Sequence, residues 1–267
     1  MRLRVWLVAV VCLLAVQIVF AQATTGGVSI EKPYDPFTSY STFAAYSNAS
    51  SHILIGESQD QRLLLLGGSW NVREHSWRWA SLRYQAEVIP VALLVSPYAN
   101  LTQTVTYVSG ATPLPNLPAG TDTYTGPLEF KCYSNSYSAL LYPIIIVGSN
   151  RPPIGSEQVT EQCSHVGTYG GGLSPLGQKI SFMPRHRVQP FLVENLGFLV
   201  FTRDVPNNQS TRFNFTFEFG TGLEWYARDR RSWSVDIRFH HTSNAFLGLQ
   251  DPGIDNVMYR VSYSFGR

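Results

Sequence analysis

The sequence predicts an all-β chain: an eight-stranded antiparallel transmembrane β-barrel with a long extracellular insertion, behind a cleaved signal peptide. Three observations predict it. Apolar and polar residues alternate with period two over several segments. Charged residues make up only 14% of the 267 positions while aromatics reach 13%, where soluble domains carry about 25% charged residues. Short turns also alternate with long connections along the chain. The structural alternative is a soluble sandwich or lipocalin-like barrel, which turns its polar face to water and wants more Lys and Glu than this chain has.

Residues 1–23 read as a secretory signal. Arg2 and Arg4 precede the apolar run Val5–Phe20, and Ala21-Gln22-Ala23 offers an A-x-A-like cleavage site after Ala21 or Ala23. The short span and small residues favour cleavage over an N-terminal anchor. Both arginines leave with the signal, so the formal charge falls from +2 to zero. A neutral chain without a basic block gives no reason to expect nucleic-acid binding. Cys12 leaves too. Cys132 and Cys163 remain as one pair in an oxidising compartment, and a disulfide is expected. Their wide spacing does not suit a metal site, and neither metal nor cofactor is expected.

Residues 24–267 then supply the barrel. Weak strand candidates cover about 37–47 and 60–73. Next, Leu82, Tyr84, Ala86 and Val88 alternate with Arg83, Gln85 and Glu87. Weak candidates follow at about 168–183 and 187–203. The clearest strand is Arg212 to Tyr226, with Phe213, Phe215, Phe217, Phe219, Leu223 and Trp225 odd against Asn214, Thr216, Glu218 and Glu224 even. A row of four phenylalanines suits a lipid-facing wall. Trp233, Val235, Ile237 and Phe239 continue the odd register, as do Val257, Tyr259, Val261, Tyr263 and Phe265 in the last strand. Short turns are expected near Glu74-His75-Ser76, Pro184-Arg185 and Asp229-Arg230, with longer connections at about 49–59, 96–167, 204–211 and 244–254. The 96–167 connection holds both cysteines, many prolines and the apolar run Tyr142 to Val147. It reads as a partly ordered extracellular insertion.

Most motifs with chemistry are absent. Gly170-Gly171-Gly172 lacks the Lys-Ser/Thr ending of a phosphate loop. The stretch Gly172–Gly177 misses nucleophile-elbow spacing by one residue. Glu218 and Glu224 read as polar wall of the interior. Adjacent His240 and His241 point to opposite faces of a strand and make a poor metal pair. His52, His75, His165 and His186 fall in or beside turns and read as surface residues.

One constellation remains. In a strand, His241 and Ser243 share a face, which sets a base beside a hydroxyl that needs one. Asp255 begins the next strand and could orient His241. All three follow the odd, lipid-facing register. Polar groups there are costly and need a reason; at the extracellular rim they could attack a lipid within the outer leaflet. The bland alternative is a Ser-Asn turn beside an interfacial histidine.

At these residues the sequence resembles the lipid A 3-O-deacylases of the PagL type, also called acyloxyacyl hydrolases. The resemblance is carried by His241-Thr242-Ser243-Asn244-Ala245, by Asp251-Pro252-Gly253-Ile254-Asp255 and by the aromatic final strand. More loosely it reaches Gly172–Gly177, Val188–Phe191 and the strand from Arg212 to Gly222, so it covers roughly the C-terminal 100 residues. It implies an eight-stranded barrel of the bacterial outer membrane and a metal-free serine esterase that removes the 3-hydroxyacyl chain at position 3 of lipid A. Its implied partners are lipopolysaccharide and outer-membrane lipid, and it is compatible with a homodimer. Carried over, Ser243 is the nucleophile, His241 the base, Asp255 the acid and Asn244 an oxyanion donor. Three departures stand out: Asp255 where glutamate typifies the family, Asp251 where asparagine is familiar, and the 96–167 insertion. Two other readings stay open, a non-catalytic barrel (structural protein or adhesin) and an esterase acting on phospholipid.

Overall fold

A computed structural model describes residues 34–142 and 152–266. The expected signal peptide with Cys12, and residues 143–147 of the apolar run, lie outside the described residues. Ten antiparallel strands make one sheet: β1 (Thr38–Ser47), β2 (Arg62–Ser76), β3 (Ala80–Tyr107), β4 (Gly120–Pro127), β5 (Asn135–Leu141), β6 (Gly155–Phe182), β7 (Val188–Val205), β8 (Thr211–Arg228), β9 (Arg231–Ser243) and β10 (Ile254–Gly266). Among the described residues there is no helix. β1 pairs with both β2 and β10, and β3 pairs with β6, so eight strands close into a ring. Closure leaves the ring without a free edge.

The alternation sets two faces. Outward rows expose Phe215, Phe219, Leu223 and Trp225 on β8, Trp233, Val235 and Ile237 on β9, and Tyr259, Val261 and Phe265 on β10. Exposed Trp70, Trp225, Trp233 and Tyr40 gather towards the short-turn end. Barrels that cross a membrane carry such a girdle of aromatic side chains at its interface. Inward rows are polar at that end and apolar at the other. Asp35 takes Arg83 at 2.7 Å and Arg73 at 3.1 Å. Further up, Arg238 bonds Asp236 at 2.7 Å and Glu218 at 2.9 Å, while Arg260 bonds Glu87 at 2.8 Å. Above these, Phe43, Leu63, Leu65, Leu94, Phe201 and Met258 belong to an apolar cluster under the long loops. Buried charge is tolerated here because each ion has a partner.

Two expectations need correction. The first turn falls at Trp77–Trp79, because β2 continues through Glu74, His75 and Ser76. The 96–167 stretch is not a loop throughout: β3 and β6 run on past the ring, pair with each other as far as Tyr107–Gly155, and gain β4 and β5 on their flanks. Much of this four-stranded extension meets water on both faces. It therefore has no apolar stripe to advertise its strands. Cys132 and Cys163 are joined in a disulfide with Cα atoms 5.7 Å apart, tying the β4–β5 connection to β6. Glu161 lies beside them, but the two sulfurs are spent on each other.

Candidate functional site

His241 and Asp255 are direct cross-strand partners in the β9–β10 ladder, where side chains on one face stand about 5 Å apart. His241 Nδ1 lies 2.6 Å from Asp255 Oδ1. Both residues lie on the outward register with Val257 and Ile237, yet Asp255 is wholly buried. The cover is the β1–β2 connection. Its Leu54 and Ile55 N–H groups donate to Asp255 Oδ2 at 2.8 and 3.0 Å, and Ser51 N donates to the Asp255 carbonyl at 3.2 Å. Together with His241 Nδ1, the two loop amides give the carboxylate three partners, which fix its direction.

Two glycines let the chain come this close. A Cβ on Gly56 would lie 2.7 Å from Asp255 N and 2.8 Å from its Oδ1. One on Gly253, whose φ is +58°, would lie 3.1 Å from His241 Cε1. His241 also lies parallel to the Phe239 ring, with centroids 6.5 Å apart. With Nδ1 held by Asp255, Nε2 is the nitrogen left to exchange a proton.

Ser243 stands two residues along the same face, but its hydroxyl does not go to His241. Ser243 Oγ donates to Asp251 Oδ2 at 2.6 Å and accepts from Ala245 N at 3.0 Å. Asp251 also accepts from Asn244 N at 3.1 Å and Phe246 N at 3.3 Å. The Asn244 side chain follows the even register inward, is buried, and donates from Nδ2 to the Gln250 carbonyl at 2.7 Å. One step along a strand reverses the side chain's face, so the Asn244 side chain leaves the side of Ser243 while its backbone N–H stays beside it, bonded to Asp251. His240 illustrates the same parity: it is buried in the lumen with Nδ1 2.7 Å from Glu218 Oε1 and Nε2 3.0 Å from Thr242 Oγ1.

The site's height follows from strand geometry. Eight residues separate Trp233 in the girdle from His241, about 27 Å of extended strand or about 21 Å of height at a tilt near 40°. The apolar band of such barrels is about 25 Å tall, so the pair lies at the upper edge of the wall. Exposed Ile53, Leu54 and Ile55 flank it on one side and Phe246, Leu247 and Leu249 on the other. Sequence reading missed Asp251 as a partner of Ser243, and Gly56 with its loop as the cover of Asp255. Gly56 lies about 200 residues away in sequence, and nothing local to it signals that contact.

The family model for lipid A 3-O-deacylase (PagL) matches residues 157–264. No curated protein matches the chain. Among solved structures, the chain is similar to the outer membrane enzyme PagL at 15% identity and a TM-score of 0.46, covering 85% of this chain and 99% of that one. It is also similar to the beta domain of the Bordetella autotransporter BrkA at 10% identity and a TM-score of 0.28, covering 87% of this chain and 100% of that one. The matched stretch, residues 157–264, is the one that carries His241, Ser243 and Asp255, and over it the chain is similar to the lipid A 3-O-deacylase (PagL) family.

Proposed function

We propose that this barrel is a serine esterase of the bacterial outer membrane, exported by residues 1–23, that removes the ester-linked 3-hydroxyacyl chain at position 3 of lipid A. The observation that carries the reading is the 2.6 Å contact of His241 with Asp255 on the outward face of the rim, with Ser243 two residues further on that face. Polar groups on a lipid-facing wall are costly and call for a function, and this trio matches the base, acid and nucleophile of an acyl-transfer site.

The chemistry proceeds in two halves. Ser243 Oγ turns to His241 Nε2, gives up its proton there and attacks the acyl carbonyl. Asp255, oriented by Leu54 and Ile55, supports the imidazolium. Backbone N–H groups at Asn244 and Phe246 face the place where charge develops on the carbonyl oxygen. His241 returns the proton to the departing sugar hydroxyl, leaving an acyl-Ser243 ester. Water, deprotonated by His241, then releases the fatty acid and restores the serine.

The test is mass spectrometry of lipid A from cells that carry the protein in their outer membrane, beside Ser243→Ala. Loss of one hydroxyacyl chain in the wild type alone supports the reading. Unchanged lipid A with a folded wild-type barrel overturns the substrate, and equal loss in both proteins overturns the nucleophile.

A further inference from the structure

We propose that Asp251 is a latch on Ser243: it holds the hydroxyl away from His241 and fills the cradle of N–H donors that the acyl carbonyl needs. The inference rests on the triad reading above and adds a positioning residue to it.

A serine hydroxyl has one proton to donate. Ser243 gives it to Asp251 Oδ2 at 2.6 Å, while Ala245 N holds the same oxygen from another side at 3.0 Å. In that arrangement nothing is offered to His241 Nε2. The other contacts of Asp251 are equally telling. Its carboxylate takes the N–H groups of Asn244 and Phe246 at 3.1 and 3.3 Å. Ala245 and Phe246 have φ values of 53° and 60°, a left-handed stretch of backbone that bends nearby N–H groups around one point. Concavities of successive N–H groups bind anions. An ester under attack by Ser243 would place its developing oxyanion in the same cradle. Here the anion already in place is Asp251.

A carbonyl oxygen and the Asp251 carboxylate therefore compete for the same donors. When the substrate enters, Asp251 moves out, and this single displacement both clears the cradle and frees the Ser243 proton for His241. Until then, the nucleophile is held in a resting position by the chain's own carboxylate.

The test uses the full chain folded in detergent micelles and a long-chain alkyl fluorophosphonate. The probe forms a bond from Ser243 Oγ to phosphorus as fluoride leaves, and His241 takes the serine proton. The labelled residue is located by peptide mass, and heat-modifiable electrophoretic mobility reports folding. Asp251→Asn keeps an acceptor oxygen for the turn but removes the charge, and Asp251→Ala removes both. Labelling of Ser243 is expected to speed up about tenfold or more in both variants, because a charge-assisted hydrogen bond no longer has to break. A residue that only shapes the turn would give no acceleration. Labelling of Asp251→Asn at or below the wild-type rate overturns the latch and leaves the esterase reading intact. Failure of Ser243 to label in the wild type and both folded variants overturns the triad, and the latch with it.

Discussion

Gly56 offers a way to perturb the His241–Asp255 pair without altering either member. Its Cβ would lie 2.7 Å from Asp255 N, 2.8 Å from Oδ1 and 2.9 Å from Cγ, where ordinary contact starts at 3.4 Å, so Gly56→Ala forces a shift of about 0.7 Å. The neighbour is backbone and a tightly held carboxylate, not the free end of a long side chain. If the β1–β2 connection recoils, the donors from Leu54 and Ile55, now at 2.8 and 3.0 Å, pass beyond hydrogen-bonding range. If Asp255 recoils, the 2.6 Å contact with His241 Nδ1 is lost or misdirected. Misplacement of about 1 Å at a reacting group costs about 100-fold in rate, so a fall of about 10- to 100-fold is expected. The assay is the initial rate of lipid A deacylation in detergent micelles, read by mass spectrometry, with heat-modifiable mobility as the folding control. Asp255→Asn sets the scale, since removing the acid of such a triad costs about 10⁴-fold. A folded Gly56→Ala barrel at the wild-type rate, beside an inactive Asp255→Asn, would refute the claim that this loop holds the acid in place.

Three further predictions concern the scaffold. Arg238→Ala leaves Asp236 and Glu218 without their 2.7 and 2.9 Å partner; it should lower stability by about 3–5 kcal/mol, and a change below about 1 kcal/mol in urea unfolding from lipid vesicles would count against a tightly paired lumen. Ile237→Arg puts a charge on the exposed outer row and should cost about 2–4 kcal/mol if the wall meets lipid; in the same vesicle assay a cost under about 0.5 kcal/mol would be the behaviour of a water-facing site. Cys132→Ser unties the β4–β5 connection from β6; limited proteolysis should cut faster within residues 128–134 while deacylation is unchanged, and lost activity would show that the extension supports the site.

Much of the barrel is legible in the chain because period two is a local property. On β8 the odd Phe215, Phe219, Leu223 and Trp225 are exposed and the even Asn214, Thr216, Glu218 and Glu224 are buried, as the alternation requires once one face meets lipid. The same rule puts His241 and Ser243 on the outer face and His240 and Asn244 within. It fails beyond Ser96, where β3 and β6 leave the ring. Strands wetted on both sides lose the contrast between faces that makes them recognisable.

What the sequence by itself determined is therefore the wall: eight ring strands, their inward and outward faces, and a histidine, a serine and an acid on one outward row at the loop end. What only the tertiary structure decided is the pairing among polar groups. Asp255 reaches His241 through strand register, but its burial depends on Leu54, Ile55 and Gly56 from the far side of the β1–β10 seam. Ser243 turns to Asp251 because the turn at Ala245 and Phe246 carries that carboxylate back over the strand end. Alternation repeats every two residues and can be read in any short window. A hydrogen bond depends on ångström-scale distances between atoms that closure of the ring brings together, and no short window contains both partners.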